Sequence, residues 1–122
     1  MIIMTPPKTN YKRGDVVLVL YPNSDLRSAK TRPALVVQAD DLQTGLPQVI
    51  VAMITSRLFR ADHLSRIVVK VSTPVGQRSG LLSDSVVMTD NLATVADIAL
   101  DRVIGTLPMA DVDHALRHTL HL

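Results

Sequence analysis

Short apolar runs recur along the chain, each closed by polar or turn-forming residues. DVVLVLY (15–21) is rich in β-branched residues. ALVVQ (34–38), QVIVAMITS (48–56), RIVVKVS (66–72), DSVVMTD (84–90) and RVIGTL (102–107) follow it. Runs of this length and composition predict strands, and their number and spacing predict a compact β fold. The connections are polar: YPNSDLRSAKTRP (21–33) holds two prolines, ADDLQTGLP (39–47) holds Gly45 and Pro47, and RLFRADHLS occupies 57–65. A single helical turn fits 41–44, and GQRSG (76–80) reads as a turn joining strands. MADVDHALRHTLHL (109–122) follows Pro108 and carries Asp111 and Asp113 where a helix dipole favours acids. Val112, Leu116, Thr119 and Leu120 recur there at helical spacing. The pattern predicts a mainly β fold, a small β-barrel with a C-terminal α-helix. Residues 1–10, with Pro6 and Pro7, read as a loosely held leader before one domain over 11–122.

Composition narrows this picture. The 122 residues are 47% hydrophobic but only 2% aromatic, so the core is aliphatic. Base stacking, common in single-strand binding, has little material here: Tyr11, Tyr21 and Phe59. The chain has no cysteine, which excludes disulfides and thiolate chemistry. No apolar run reaches membrane-spanning length, and the N-terminus lacks the long apolar stretch of a secretion signal. A soluble, cytoplasmic protein without a membrane partner is expected. Nine of the 13 basic residues are Arg, and all 11 acids are Asp. Arginine favours phosphate and carboxylate partners through its bidentate fork. A GC-rich genome gives the same bias.

Several constellations invite chemistry. His114, His118 and His121 fall at i, i+4 and i+7, a register that can hold a metal. That register is a weak signal and a polar helix face near a chain end is the favoured reading, so no metal site is assigned. GQRSG lacks the Gly-Lys-Ser/Thr of a phosphate loop, and the serines near 83–85 lack a nucleophile elbow. Arg32 stands before Pro33, which biases it to an extended backbone and stiffens its base. Thr55 and Ser56 end the third apolar run. A fixed arginine beside two hydroxyls suits a phosphate group, but spacing alone does not bring them together, and ordinary surface charge accounts for them as well.

The order of these pieces changes the reading. KRGDVVLVLYPNSDLRSAKTRPALVVQ, VIVAMITS, GLLSDSVVMTDNLATV and DRVIGTLPMADVDHALRHTLHL together resemble the MazF/PemK family of toxins from type II toxin–antitoxin pairs. The resemblance runs from about Lys12 to Leu120. It implies an SH3-like barrel of the CcdB/MazF/Kid type, a homodimer, and an endoribonuclease that cuts single-stranded RNA without a metal or other cofactor. It also implies a cognate antitoxin whose acidic, amphipathic tail occupies the RNA groove. By this resemblance Arg32 and Thr55 form the catalytic pair. Ser56 is a helper, and Asp25, Arg27, Lys30, Arg57 and Asp90 are supporting or RNA-binding residues.

The chemistry suits these residue types. RNA supplies its own nucleophile, the 2′-OH, and needs charge stabilisation at phosphorus more than a protein nucleophile. This chain departs from the family at several points. No Glu stands in the loop before Arg32, where Asp25 is the nearby carboxylate. Met88 and Ala93 stand where relatives carry arginines. Arg27, Lys30, Arg57 and Arg60 are the replacements expected from the loops. Two other readings are a barrel that binds antitoxin without cleaving, and a CcdB-like inhibitor of DNA gyrase. The second acts through the C-terminal end and needs no Arg32–Thr55 pair.

Overall fold

Among the described residues, strands β1 (Asp15–Pro22), β2 (Ala29–Val36), β3 (Gln48–Thr55) and β4 (Arg66–Val69) are followed by helix α1 (Pro74–Ser79), strands β5 (Ser85–Ala96) and β6 (Leu100–Thr106), and helix α2 (Ala110–Leu120). The computed structural model describes residues 11–22, 25 and 27–122, with backbone alone at 21 and 22. The leader expected at 1–10 lies outside the described residues. The strands form one six-stranded sheet in the order β4-β5-β3-β2-β1-β6, with every pairing antiparallel.

The central strands are buried on both faces, which is why they read as continuous apolar runs. Val16, Leu35, Ala52, Ile54 and Val87 face a core completed by Val69, Leu107 and Val112 of α2. Val17, Val19, Ala34, Val36, Val49, Val51 and Met53 face a second core completed by Leu100. A sheet covers both faces of itself by bending. The β3–β5 register jumps from Ala52↔Leu92 to Met53↔Met88, so Thr89, Asp90 and Asn91 have no partner on β3. Bulged strands bend and twist sharply. The first half of β5 therefore sends Val87 into one core, while Ala93 and Val95 of its second half pack on the other. Two further register shifts bend β1 against β6. The result is a barrel-like sheet with β4 and β6 at its edges.

Several elements differ from the sequence pattern for identifiable reasons. β2 begins at Ala29 rather than Ala34, because it pairs along all of β1, with Val19↔Arg32 and Tyr21↔Lys30. β5 runs past its bulge to Ala96 instead of ending at Asp90. The stretch 41–44 forms no helix. Residues 76–80 belong to α1 and its C-cap rather than to a bare turn. Thr73 caps the helix by accepting from the Gly76 N–H (3.0 Å), Pro74 starts it, and Gly80 ends it at φ 73°. α2 lies where expected, but its buried residues are Val112 and Ala115, while Leu120 is exposed.

Hydroxyls fasten α2 to the sheet. Thr89, fully buried at the bulge, donates to the Ser65 carbonyl (2.7 Å), and its oxygen lies 2.7 Å from that of Thr119 on α2. At the other end Arg13 donates to the Val37 carbonyl (3.0 Å) and pairs with Asp113 of the first turn of α2.

Gly105 marks the place where α1 meets β6. A Cβ at this position would lie 2.3 Å from the Arg78 carbonyl oxygen and 2.3 Å from the Ser79 carbonyl carbon. Those atoms are backbone and cannot rotate away. Gly105→Ala is expected to cost at least about 2 kcal/mol, as overpacking does. A urea-unfolding midpoint close to wild type would contradict this close approach.

Candidate functional site

Pro33 stands where β2 leaves the interior. Past it, β2 is exposed from Ala29 to Arg32, while Ala34, Leu35 and Val36 are buried. Proline has no N–H to give a ladder. The β2–β3 ladder holds Val36↔Val51, Leu35↔Ala52 and Ala34↔Met53, and no pair is formed beyond Ala34. Continuing that register past Ala34 sets Pro33 against Ile54 and Arg32 against Thr55. Directly opposed residues of an antiparallel pair share a face. The strands part before that point, and Arg32 and Thr55 both line the opening between them.

The opening is a cleft of about 690 Å³. Leu18, Pro33, Ile54, Leu81 and Ile104 give it an apolar base, and Thr31, Thr55, Ser56, Ser83 and Ser85 supply hydroxyls. Lys30, Arg32, Arg57 and Arg102 also line it, and none of the lining residues is acidic. Among the described residues, none of these four cations takes part in an ion pair. Thr55 Oγ1 accepts a hydrogen bond from the Arg57 N–H (3.2 Å), so its own proton remains available to an anion. Ser85 donates instead to the Ser83 carbonyl (2.8 Å). Among the described residues, the concave site thus gathers four unpaired cations and donor hydroxyls, the groups that hydrogen-bond and neutralise an anion.

The structure thus brings together Lys30, Arg32, Thr55, Ser56 and Arg57 among the residues expected from the sequence. It adds Arg102, which the sequence reading missed. Arg102 reaches the cleft because β6 pairs with β1 at Leu18↔Arg102, a long-range contact that no local pattern announces. Arg27 is exposed on the β1–β2 connection and does not line the cleft. Asp25 is also outside it. Its carboxylate accepts from the N–H groups of Arg27 (2.9 Å) and Ser28 (3.2 Å), which hold its carboxyl below the usual range. Its visible work is to shape that connection.

Asp90 acts at a remove. It lies in the β5 bulge and binds Arg66 at 2.8 Å, and Arg66 also donates to the Arg60 carbonyl (3.0 Å). The carboxylate thereby fastens the short 3₁₀ turn Leu58–Arg60, which follows Arg57. Met88 and Ala93, the positions at which the family resemblance implies arginine, do not line the cleft. Met88 is buried opposite Met53, and Ala93 packs on the second core. On α2 the three histidines do not share one face, since His121 leaves the helix at φ 57°. His118 instead lies edge-on to His63, with ring centroids 6.3 Å apart. Among the described residues no three His, Cys, Asp or Glu side chains gather to hold a metal ion, and no helix is long and apolar enough to cross a membrane.

Comparison with known proteins points one way. A family model described as "PemK-like, MazF-like toxin of type II toxin-antitoxin system" matches residues 12–120. The sequence finds no match among curated proteins. Similar solved structures include the Mycobacterium tuberculosis toxin MazF-mt6, with 24% identity, TM-score 0.67, and coverage of 88% of this chain and 97% of that one. A mycobacterial endoribonuclease in complex with its cognate antitoxin is 20% identical, with TM-score 0.66 over 92% of this chain and 96% of that one. The MazE-MazF structure from Deinococcus radiodurans has 15% identity and TM-score 0.67, with coverage of 92% and 96% respectively. At these identities the likeness is one of fold.

The Arg66–Asp90 pair also carries a pH signature. The hydrogen bond from Arg66 holds the Asp90 carboxyl below its ordinary value. Its stabilisation is therefore present above the unfolded carboxylate pKa of about 3.9 and lost as pH falls through the lower folded value. Both side chains are partly solvated, so Asp90→Asn should cost only about 0.5–1 kcal/mol at pH 7. Urea unfolding of the two proteins should show that gap closing as the pH drops below about 4. A gap that stays constant from pH 7 to pH 3 would remove the ion pair from the account.

Proposed function

The chain belongs to the PemK-like, MazF-like toxins of type II toxin–antitoxin systems, and from that premise we propose that it is a cytoplasmic endoribonuclease that cuts single-stranded RNA in its cationic cleft. One observation supports this reading above the others. Arg32 and Thr55 line one cleft where the β2–β3 ladder ends, and among the described residues that cleft is lined by four cations and no carboxylate.

The reaction suited to this cleft draws its nucleophile from the substrate. The 2′-oxygen forms a bond to the adjacent phosphorus and loses its proton to solvent. The bond from phosphorus to the 5′-oxygen breaks, and that oxygen regains a proton. The products are a 2′,3′-cyclic phosphate and a 5′-hydroxyl. Charge builds on the non-bridging oxygens, where Arg32 stabilises it with a permanent cation and Thr55 donates a hydrogen bond. Arg32 stays protonated, so its role is charge stabilisation and support of the departing oxygen rather than general base. Ser56 supplies a neighbouring hydroxyl. Lys30, Arg57 and Arg102 hold flanking phosphates and align the strand.

Two partners accompany this reading: a second copy of the chain as a homodimer, and an antitoxin whose acidic, amphipathic tail competes with RNA for the same cations. Four cations without carboxylate neighbours suit either polyanion. A non-cleaving barrel would need the cleft but not Arg32 and Thr55 together in it, so their joint presence supports cleavage.

Arg32→Ala and Thr55→Ala should each slow cleavage of a long single-stranded RNA in EDTA by about a hundredfold or more, the scale seen when a charge-stabilising donor is lost. Cleavage at the wild-type rate by either variant would contradict the assignment. Binding should also weaken as salt rises. Removing one phosphate contact with Arg102→Gln should reduce the slope of log affinity against log salt by about 0.7. An unchanged slope would place Arg102 outside the RNA path.

A further inference from the structure

The chain has one phenylalanine, and the fold does not bury it. Phe59 is 79% exposed, whereas Tyr11 is partly buried and packs against the second core. It sits on the 3₁₀ turn Leu58–Arg60, two residues beyond Arg57, which lines the cleft. Successive Cα atoms are about 3.8 Å apart, so Phe59 stands no more than about 7.6 Å from Arg57 along the chain. That is the scale of a single nucleotide.

The turn is held in place. The Arg60 N–H donates to the Arg57 carbonyl (3.1 Å), and the Ala61 N–H to the Leu58 carbonyl (3.0 Å). From outside, Arg66 binds the Arg60 carbonyl (3.0 Å) while it is itself fixed by Asp90 (2.8 Å). The ring is therefore displayed on an anchored backbone. The Arg60 guanidinium lies over the ring, 5.7 Å from its centroid, so a cation accompanies the exposed aromatic.

We propose that Phe59 is a stacking platform for one base of the bound RNA strand, next to the phosphate held by Arg32 and Thr55. This rests on the reading of the cleft as an RNA site. A strand that follows the cations past Arg57 delivers its next base to this ring, and Arg60 meets the phosphate that comes with it. Every base has a π-face, so the platform fixes the position of the strand without selecting a sequence. It also requires an unpaired base, which excludes the interior of a duplex. Through Arg66 and the Arg60 carbonyl, Asp90 becomes a positioning residue for the platform.

The test uses an oligoribonucleotide containing the cut site, with a 2′-deoxy sugar at the scissile position so that it binds intact. Each base in turn is replaced by an abasic unit. Phe59→Ala should weaken binding by roughly five- to a hundredfold, the range of lost base–aromatic stacking, and Phe59→Trp should restore it. One abasic position should weaken wild-type binding by the same factor and leave Phe59→Ala unaffected. The urea midpoint should not move, since the ring is exposed. Phe59→Ala binding within twofold of wild type, or losses tied to no single base, would overturn the platform. So would full RNA binding combined with lost affinity for a protein partner, which would make Phe59 a protein contact. Wild-type protein that neither binds nor cuts single-stranded RNA, with Arg32→Ala indistinguishable from it, would instead remove the RNA reading and the platform with it.

Discussion

Burial of both faces of β1, β2 and β3 is the constraint on which the rest depends. A short chain poor in aromatics must fill two cores mostly with Val, Leu, Ile and Ala. It does so by bending one sheet until both faces are covered, and the bulge at Thr89–Asn91 supplies much of the bend. A strand buried on both sides has no place for a charge, so polar residues collect where strands leave the interior. β2 divides at Pro33 into an exposed polar half and a buried apolar half. The cleft lies at that division because the β2–β3 ladder stops there.

Charge is sorted by the same geometry. Arg13 pairs with Asp113 and Arg66 with Asp90, while the Asp25 carboxylate is spent on backbone N–H groups. These contacts hold the helix, the 3₁₀ turn and the β1–β2 connection. Lys30, Arg32, Arg57 and Arg102 meet in the cleft with no acid among its lining residues. Like charges gathered on one wall repel, which costs stability in the free protein and attracts a polyanion to it. That concentration of unpaired positive charge does nothing evident for folding, and the proposed function gives it a use.

Much of this was legible in the sequence because burial leaves a periodic trace. The strand runs, the C-terminal helix and the Arg32-Pro33 boundary follow from hydrophobic pattern and the restrictions of proline. The exposed half of β2 was not legible, because AKTR has the composition of a loop and becomes a strand only by pairing with β1. The continuation of β5 was hidden by the polar residues Thr89, Asp90 and Asn91, which resemble a turn and form a bulge. α1 did carry its markers, Thr73, Pro74 and Gly80, but its shortness and the internal Gly76 masked them. Arg102 and the indirect role of Asp90 depend on strand pairing and on a side-chain bridge through Arg66. No spacing along the chain encodes either.

The account stands on one chemical claim: the protein supplies charge and alignment while the RNA supplies the nucleophile. The most direct measurement compares a single-stranded RNA with the same oligonucleotide bearing one 2′-deoxy sugar at the cut position, in EDTA, with binding and product termini both read. The claim predicts equal binding, no cleavage of the deoxy strand, and a 2′,3′-cyclic phosphate opposite a 5′-hydroxyl on the cut ribo strand. Cleavage of the deoxy strand at the same bond, or a 5′-phosphate on the product, would contradict it.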